Sequence, residues 1–168
     1  AVQQALADTR EAAVPFCQQV AVVIAETVPG RHVIWLAGNG GSAANAAHLA
    51  AHLRNLGLLA ICLSDSGPGL TAASNDHGYR DAFTRQASIY KNHVVILFSC
   101  SGTSPNIISL ANLHEGADVV LLTGMPKKRP KAKAALALIV PSKDYGVIED
   151  VHSALLHGIT KEVKLCLQ

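Results

Sequence analysis

The sequence has 168 residues, which suits one domain and is short for two. Its formal net charge is only +2, from 14 Lys and Arg against 12 Asp and Glu, so we expect no nucleic-acid partner. Charged residues make up 15% of the chain and hydrophobic residues 49%. So little charge to cover the surface favours burial of part of it in an oligomer, the alternative being an alanine-rich monomer.

A membrane or secretory location is not indicated. No apolar run approaches the roughly 18 residues of a membrane span, and the start of the chain lacks the basic region and apolar core of a signal peptide. The four cysteines are far apart and form no CxxC pair; they are Cys17, Cys62, Cys100 and Cys166. Because this pattern suits neither a disulfide framework nor a cysteine zinc site, we predict a cytoplasmic protein with no membrane partner.

The chain begins with one long amphipathic helix, predicted for residues 1–28. Its apolar residues recur at spacings of three or four residues or small multiples of these. Pro15 falls inside the helix and is expected to kink or divide it. Pro29-Gly30 is expected to end it.

Strands and helices then alternate. Short apolar strands are predicted at 32–37, 58–64, 93–99, 118–124 and 135–142. Helices are predicted at 43–55, in segments up to about Tyr90, at 106–116 and from Val147 to Leu167, with a basic surface turn at 127–133. Because apolar strands separated by helices indicate a parallel sheet covered on both faces, we predict a doubly wound α/β fold. Its five-stranded parallel sheet would be sandwiched by helices in a single domain over residues 1–168.

A glycine-rich loop follows the first predicted strand, at the sheet edge where ligands of such folds bind. Gly38-Asn39-Gly40-Gly41-Ser42 precedes a helix whose free N–H groups and dipole favour an anion, above all a phosphate. The alternative is a dinucleotide fingerprint, which reads Gly38-x-Gly40-x-x-Ala43 with Asp65 further on. The motif by itself leaves both interpretations open.

A second loop of this kind follows the third predicted strand. Ser99-Cys100-Ser101-Gly102-Thr103-Ser104 carries four hydroxyl groups ahead of a helix that Pro105 opens. Hydroxyl and backbone N–H groups together can satisfy three phosphate oxygens without a cation. Helix capping is the simpler interpretation, but it needs only one hydroxyl group, so the density of hydroxyl groups favours a phosphate site.

Three of the eight histidines have spacings that suit a site: His48, His52 and His157. His48 and His52 share one face of a predicted helix, a spacing that can bind one metal ion but also occurs on solvated faces. The last helix adds Glu149 and His152 to His157. Glu149 and His157 are about 12 Å apart along an ideal helix axis, so these residues form either one metal site or a wider cleft. The remaining histidines are predicted to be structural or solvated: His32, His77, His93 and His114.

Four segments occur in an order that resembles a known family. They are GNGGSAANAAHLAAHL, TAASNDHGYRDAFTRQ, SCSGTSPNIISLA and GVIEDVHSALLHGI, between about residues 30 and 165. This pattern is similar to the SIS (sugar isomerase) domain family and, within it, to the phosphoheptose isomerase branch. That branch converts sedoheptulose 7-phosphate to a heptose 7-phosphate. The resemblance favours a phosphosugar over a dinucleotide as the ligand.

The resemblance implies a five-stranded SIS fold with an N-terminal oligomerisation helix over about residues 1–28. It also implies a homotetramer whose active sites lie at subunit interfaces. A phosphorylated sugar would be held through its phosphate by Ser99, Ser101 and Ser104, with Cys100 where the family usually has threonine. The implied substrate contacts come from Asn39, Gly40, Gly41, Ser42, Asn75 and Asp76.

The chain departs from the family pattern at the metal and catalytic positions. The resemblance implies zinc ligands at His48 and His157, but the family motif H-x-x-x-E reads His48-x-x-x-His52 here, so its presumed catalytic glutamate is missing. Glu149 stands where the family has glutamine. We predict that His48, His52, Glu149 and His157 surround one zinc or similar divalent ion. We also predict Glu149 or His52 as the base, and His157 as the acid, of an isomerisation through an enediol.

Two other functions stay open from the sequence. Some SIS proteins are phosphosugar-sensing regulators or adaptors without catalysis, and the missing glutamate suits such a role. The altered ligands and the short loop at 54–59 also suit an isomerase of a different phosphosugar. Retention of His157 favours an enzyme over a regulator.

Overall fold

Helices and strands alternate along the chain. The computed structural model describes residues 1–27, 32–87, 93–113, 118–125 and 132–168. The helices are α1 (Val2–Thr27), α2 (Gly41–Asn55), α3 (Gly67–His77), α4 (Ala82–Ala87), α5 (Pro105–Leu113) and α6 (Tyr145–Cys166). The strands are β1 (Val33–Ala37), β2 (Ala60–Cys62), β3 (His93–Ser99), β4 (Asp118–Gly124) and β5 (Leu136–Val140). A short 3-10 turn, Tyr79–Asp81, joins α3 to α4.

The five strands form one sheet in the order β2-β1-β3-β4-β5. Leu36 of β1 lies opposite Cys62 of β2 on one side and opposite Ile96 of β3 on the other. All four pairings are parallel, which confirms the predicted sheet. The carboxyl ends of β1 and β3 are therefore neighbours at one edge of the sheet.

Helices cover both faces of the sheet, and the alternation of strand residues assigns side chains to each face. Ile34 and Leu36 are fully buried in a core with α1, α2 and α6. Val33 and Trp35 point the other way, into a core with α4 and α5. Full burial of an isoleucine or leucine side chain contributes about 1.5–3 kcal/mol, so each core is a substantial source of stability. The doubly wound α/β class is confirmed.

Helix α1 runs unbroken from Val2 to Thr27, within one residue of the predicted bounds at each end. Of the two outcomes expected at Pro15, a kink or a division, the division is wrong, because one helix runs from Val2 to Thr27. Pro15 itself is exposed, whereas the neighbouring Phe16 and Cys17 are buried. Packing of this buried face against α6 and β5 holds the helix together although proline removes a backbone hydrogen bond.

Other element bounds differ from the predictions by a few residues. Helix α6 begins at Tyr145 rather than Val147, because the Asp144 carboxylate caps it by accepting a hydrogen bond from the Val147 N–H at 3.1 Å. Strand β2 is shorter than predicted. The predicted helix ends at 29–30 and at Gly116, and most of the basic turn at 127–133, lie outside the described residues. Among the helices described, none is long and apolar enough to cross a membrane.

Candidate active site

A cleft of about 120 Å³ opens at the carboxyl edge of the sheet. It lies where β1 and β3 are neighbours and the strand order reverses, which is the usual ligand position in a doubly wound sheet. The two loops that the sequence singled out both reach it. Its lining consists of Asn39, Ser42, Phe98, Ser99, Cys100, Ser101, Ser104, Tyr145 and Glu149.

The glycine-rich loop places the backbone at the start of α2 close to this cleft. Gly40 has a φ of 57°, a left-handed conformation that glycine adopts without strain. Gly38 has no room for a side chain, since a Cβ there would overlap the backbone of Ser42. The residue before α2 is Gly40, so no side chain caps the first turn of this helix. Its N–H groups and its positive dipole end are suited to an anion.

The serine loop, residues 99–104, presents several hydroxyl groups to the same cleft. Gly102, with a φ of 61°, allows the chain to turn back after Ser101. The Ser99 hydroxyl oxygen accepts a hydrogen bond from the Gly102 N–H at 3.2 Å, and the Ser101 hydroxyl oxygen accepts one from the Thr103 N–H at 3.2 Å. Because a hydroxyl group can accept and donate together, both retain a proton for a phosphate oxygen. Thr103 is exposed and is not part of the cleft lining.

Cys100 and Glu149 are in contact in the lining of the cleft. The Cys100 Sγ lies 3.7 Å from Glu149 Oε1 and 3.6 Å from Ser42 Oγ. Burial raises the pKa of the Cys100 thiol, and the neighbouring Glu149 carboxylate raises it further, while the Ser42 contact opposes them. The thiol therefore stays protonated and is a weak donor to Glu149. A side chain at Gly41 would overlap this carboxylate, so Glu149 lies against the first residue of α2.

Three histidines come together on α2 and α6. The ring centroids of His48 and His52 are 4.6 Å apart. The ring centroid of His157 lies 5.1 Å from that of His48 and 5.3 Å from that of His52. One nitrogen of each ring lies within 4.8 Å of the others. The Nε2 of His52 is buried and has no hydrogen-bond partner among the described residues. Burial lowers the pKa of His52, and His48 and His157 lower it further, which favours the neutral imidazole that binds metals.

The structure does not bring the fourth predicted ligand into this group. Among the described residues the group holds the three histidines alone, and the Glu149 carboxylate lies against Gly41 and Cys100 instead. The physical reason is spacing: eight residues of α6 separate Glu149 from His157, about 12 Å along the axis. Glu149 belongs to the cleft of its own chain.

The remaining predicted residues lie in different places. Asn75 and Asp76 are exposed on α3, where the Asn75 amide donates to the Asp76 carboxylate at 3.0 Å, and they do not line the cleft. His152 is fully buried on α6 and packs against Phe98. His77 is exposed and His32 is half-buried; the His93 side chain and His114 lie outside what the structure describes.

Comparison with known proteins identifies the family. The SIS domain family matches residues 1–124 of the chain. A phosphoheptose isomerase from Helicobacter pylori strain P12 is 34% identical over 165 residues, which cover 92% of this chain and 86% of that protein. The chain belongs to the phosphoheptose isomerase family of SIS-domain proteins. This family is one of enzymes, and the resemblance seen in the sequence is confirmed.

Solved structures agree with this assignment. A phosphoheptose isomerase from Neisseria gonorrhoeae superimposes with a TM-score of 0.90 at 27% identity, covering 98% of this chain and 93% of that one. A phosphoheptose isomerase from Francisella tularensis gives a TM-score of 0.89 at 25% identity, with 98% and 92% covered. The Vibrio vulnificus NanR protein complexed with ManNAc-6P, at 19% identity and a TM-score of 0.62, shares the fold alone.

Sequence reasoning missed four residues of this phosphoheptose isomerase family member. Phe98 and Tyr145 line the cleft, while Asn106 and Tyr79 hydrogen-bond to Asn39, which also lines it. Asn106 is two residues beyond Ser104, the end of the serine loop, so the adjacency of β1 and β3 would have placed it beside Asn39. Tyr79 and Tyr145 carry no comparable sequence signal.

Proposed function

We propose that this protein interconverts a seven-carbon ketose phosphate and its aldose, sedoheptulose 7-phosphate to heptose 7-phosphate. The observation that carries the proposal is the cleft itself, which joins a hydroxyl-rich loop to a carboxylate at the carboxyl edge of the sheet. The first feature suits a phosphate group, and the second suits a proton transfer between sugar carbons. Membership of the phosphoheptose isomerase family supports the choice of sugar.

The phosphate would be held at the serine loop. Ser99, Ser101 and Ser104 line the cleft and offer hydroxyl donors without a formal positive charge. Hydrogen bonds to charged oxygens are stronger than neutral ones, so three such donors can hold a phosphate dianion. The start of α2, at Gly40, Gly41 and Ser42, adds a favourable dipole.

Proton transfer between C1 and C2 needs a base beside the substrate and an acid at its carbonyl oxygen. Glu149 is a carboxylate in the cleft lining and is our first choice for the base. His52 is the second, since its lowered pKa keeps a neutral imidazole near pH 7, provided that its nitrogen does not hold a metal. We assign the acid to His157, which is exposed beside it, under the same condition.

The three-histidine group fits a divalent metal ion. Imidazole donors suit zinc better than calcium or magnesium, and the buried Nε2 of His52 has no other partner among the described residues. We propose His48, His52 and His157 as its ligands, and Glu149 as a fourth only where it belongs to another copy of the chain. When bound, such an ion would polarise the sugar carbonyl.

The complete site would form in a homotetramer. His48 follows Gly41 by seven residues, so the histidine group lies about 10 Å along α2 from the cleft. Within one chain, the histidine group and the cleft are too far apart to act on the same carbon of the substrate. Exposed apolar side chains on α1, Leu6, Val14 and Val22, offer an interface for assembly. Four free cysteines support a cytoplasmic location for that assembly.

The test is an isomerase assay on the purified protein with and without added zinc. We expect aldose formation from sedoheptulose 7-phosphate and none from unphosphorylated sedoheptulose. Tight binding of sedoheptulose 7-phosphate without conversion would instead indicate a phosphosugar-sensing protein. Conversion of fructose 6-phosphate alone would indicate an isomerase of another phosphosugar.

A further inference from the structure

Asn39 of the glycine-rich loop lines the cleft, and its side-chain amide has three hydrogen bonds. Its Oδ1 accepts one from Asn106 Nδ2 at 2.8 Å and one from the Tyr79 hydroxyl at 2.8 Å. Its Nδ2 donates to Asn106 Oδ1 at 3.0 Å. An amide oxygen has two lone pairs and an amide nitrogen two protons. The oxygen is therefore saturated, and one N–H is left over.

Asn106, itself held by a backbone N–H, fixes the orientation of the Asn39 amide. The Ile107 N–H, in the first turn of α5, donates to Asn106 Oδ1 at 3.0 Å, so the Asn106 oxygen must point toward the helix. Asn106 is 2% exposed and cannot exchange this partner for water. Its amide nitrogen then faces the Asn39 oxygen. A reversed Asn39 amide would set nitrogen against nitrogen.

Tyr79 reaches Asn39 from a segment far away in sequence. Gly78, with a φ of 80°, ends α3 and turns the chain into the 3-10 turn that carries Tyr79. The turn is anchored on α5, because the Ser109 hydroxyl donates to the Asp81 carboxylate at 2.9 Å. The Tyr79 ring also lies beside Phe83, with centroids 6.3 Å apart. The hydroxyl group is thus held at a defined place rather than at the end of a free side chain.

We infer that Tyr79 is a positioning residue: with Asn106 it holds the Asn39 amide as a fixed hydrogen-bond donor to an oxygen of the bound phosphosugar. The inference rests on the proposed function and adds residues that act through Asn39. By occupying the second lone pair of Oδ1, Tyr79 prevents this oxygen from competing for sugar hydroxyl groups. The remaining N–H of the Asn39 amide then donates to an acceptor oxygen of the ligand, such as a carbonyl or a phosphate oxygen.

A double-mutant cycle tests the inference. Tyr79→Phe removes the hydroxyl group and keeps the ring on Phe83, and Asn39→Ala removes the amide. We expect Tyr79→Phe to lower kcat/KM for sedoheptulose 7-phosphate about three- to tenfold, the worth of one hydrogen bond. In the Asn39→Ala background the same change should cost less than about twofold, because there is no amide left to position.

A control variant and a binding measurement distinguish positioning through Asn39 from an independent effect of Tyr79. Thr71→Val removes a hydroxyl group from α3 that donates to the backbone of its own helix, and it should leave kcat/KM unchanged. Equal losses from Tyr79→Phe in both backgrounds would show that Tyr79 acts independently of Asn39 and would overturn the inference. The cycle can also be read by calorimetric binding of sedoheptulose 7-phosphate, so that it does not depend on turnover. A wild-type protein that neither converts nor binds this sugar overturns the proposed function and the inference with it.

Discussion

At the residue scale, the serine loop divides its hydroxyl groups between shaping the turn and facing the cleft. Ser99 and Ser101 accept backbone hydrogen bonds from within the loop, and Ser104 joins them in the cleft lining. Thr103 faces solvent instead. The sequence counted four hydroxyl groups without distinguishing them; the conformation of the loop selects three.

Loss of two of these groups should weaken ligand binding. Each hydrogen bond to a charged oxygen contributes about 1.5–3 kcal/mol, so Ser101→Ala with Ser104→Ala should raise the Kd for sedoheptulose 7-phosphate by at least about a hundredfold. Isothermal titration calorimetry measures this directly. Thr103→Val is the matched control and should leave the Kd unchanged. An unchanged Kd in the double variant would contradict a phosphate site at this loop.

His152 is a buried group with a consequence for stability. Burial lowers its pKa to about 4, opposed by the Thr123 backbone, whereas the unfolded chain has the ordinary value of 6.5. Between these two values the unfolded chain binds a proton and the folded chain does not. The contribution of His152 to the free energy of unfolding is therefore constant above about pH 6.5 and falls as the pH drops toward 4.

The expected contribution is about 2 kcal/mol between pH 7 and pH 5. His152→Leu keeps a side chain of similar size and removes the titrating group. Denaturant unfolding at both pH values, with a chelator present, should show a smaller loss of free energy of unfolding for the variant than for the wild type. Identical losses would mean that the acid sensitivity lies in other groups.

At the element scale, the packed helices α2 and α6 hold both the Glu149 carboxylate and the three histidines. The start of α2 lies against Glu149 of α6, and the Asn45 amide of α2 donates to the Glu149 backbone carbonyl at 2.9 Å. Further along, the same two helices bring three histidines together. Two chemically distinct features thus depend on one packed pair of helices.

Gly41→Ala tests this packing, because the added methyl group would overlap the Glu149 carboxylate. We expect the carboxylate to be displaced, with a large fall in kcat and a stability cost of about 1–3 kcal/mol. Gly67→Ala is a matched control: Gly67 also begins a helix, but nothing lies within 4 Å of the added carbon. That variant should retain activity and be as stable as the wild type or more so. Equal behaviour of the two variants would argue against a catalytic Glu149.

At the scale of the whole molecule, α1 presents apolar side chains on its outer face. Val14 and Val22 are 57% and 50% exposed, while Phe16 and Val20 on the same helix are buried against the body of the protein. A helix with apolar residues on both faces indicates a second surface to be covered. The proposed tetramer would cover it.

Charged substitutions on this face should therefore change the state of assembly. We expect the wild type to be a tetramer by light scattering at micromolar concentration, and Val14→Lys with Val22→Lys to dissociate into smaller species with low activity. Leu59→Lys is a control, since Leu59 is 51% exposed at the β2 side of the sheet, away from α1. A stable, fully active wild-type monomer would rule out a site completed between subunits.

Much of this molecule follows from its sequence alone. Runs of apolar residues set the strands, because a strand covered on both faces needs apolar side chains at every position. Glycine and hydroxyl residues after the first and third strands mark the two loops of the cleft. The spacing of His48 and His52 follows from helix geometry, which places residues four apart on one face.

Other features were decided only by how the elements pack. The order β2-β1-β3 makes the two loops neighbours, and the pairing of α2 with α6 adds His157 to the two histidines while leaving Glu149 in the cleft. The bond from Tyr79 to Asn39 joins residues 40 positions apart. Local sequence fixes which face of an element a side chain occupies. Which elements meet, and at what height along their axes, depends on burying both cores at once, and no short stretch of sequence carries that information.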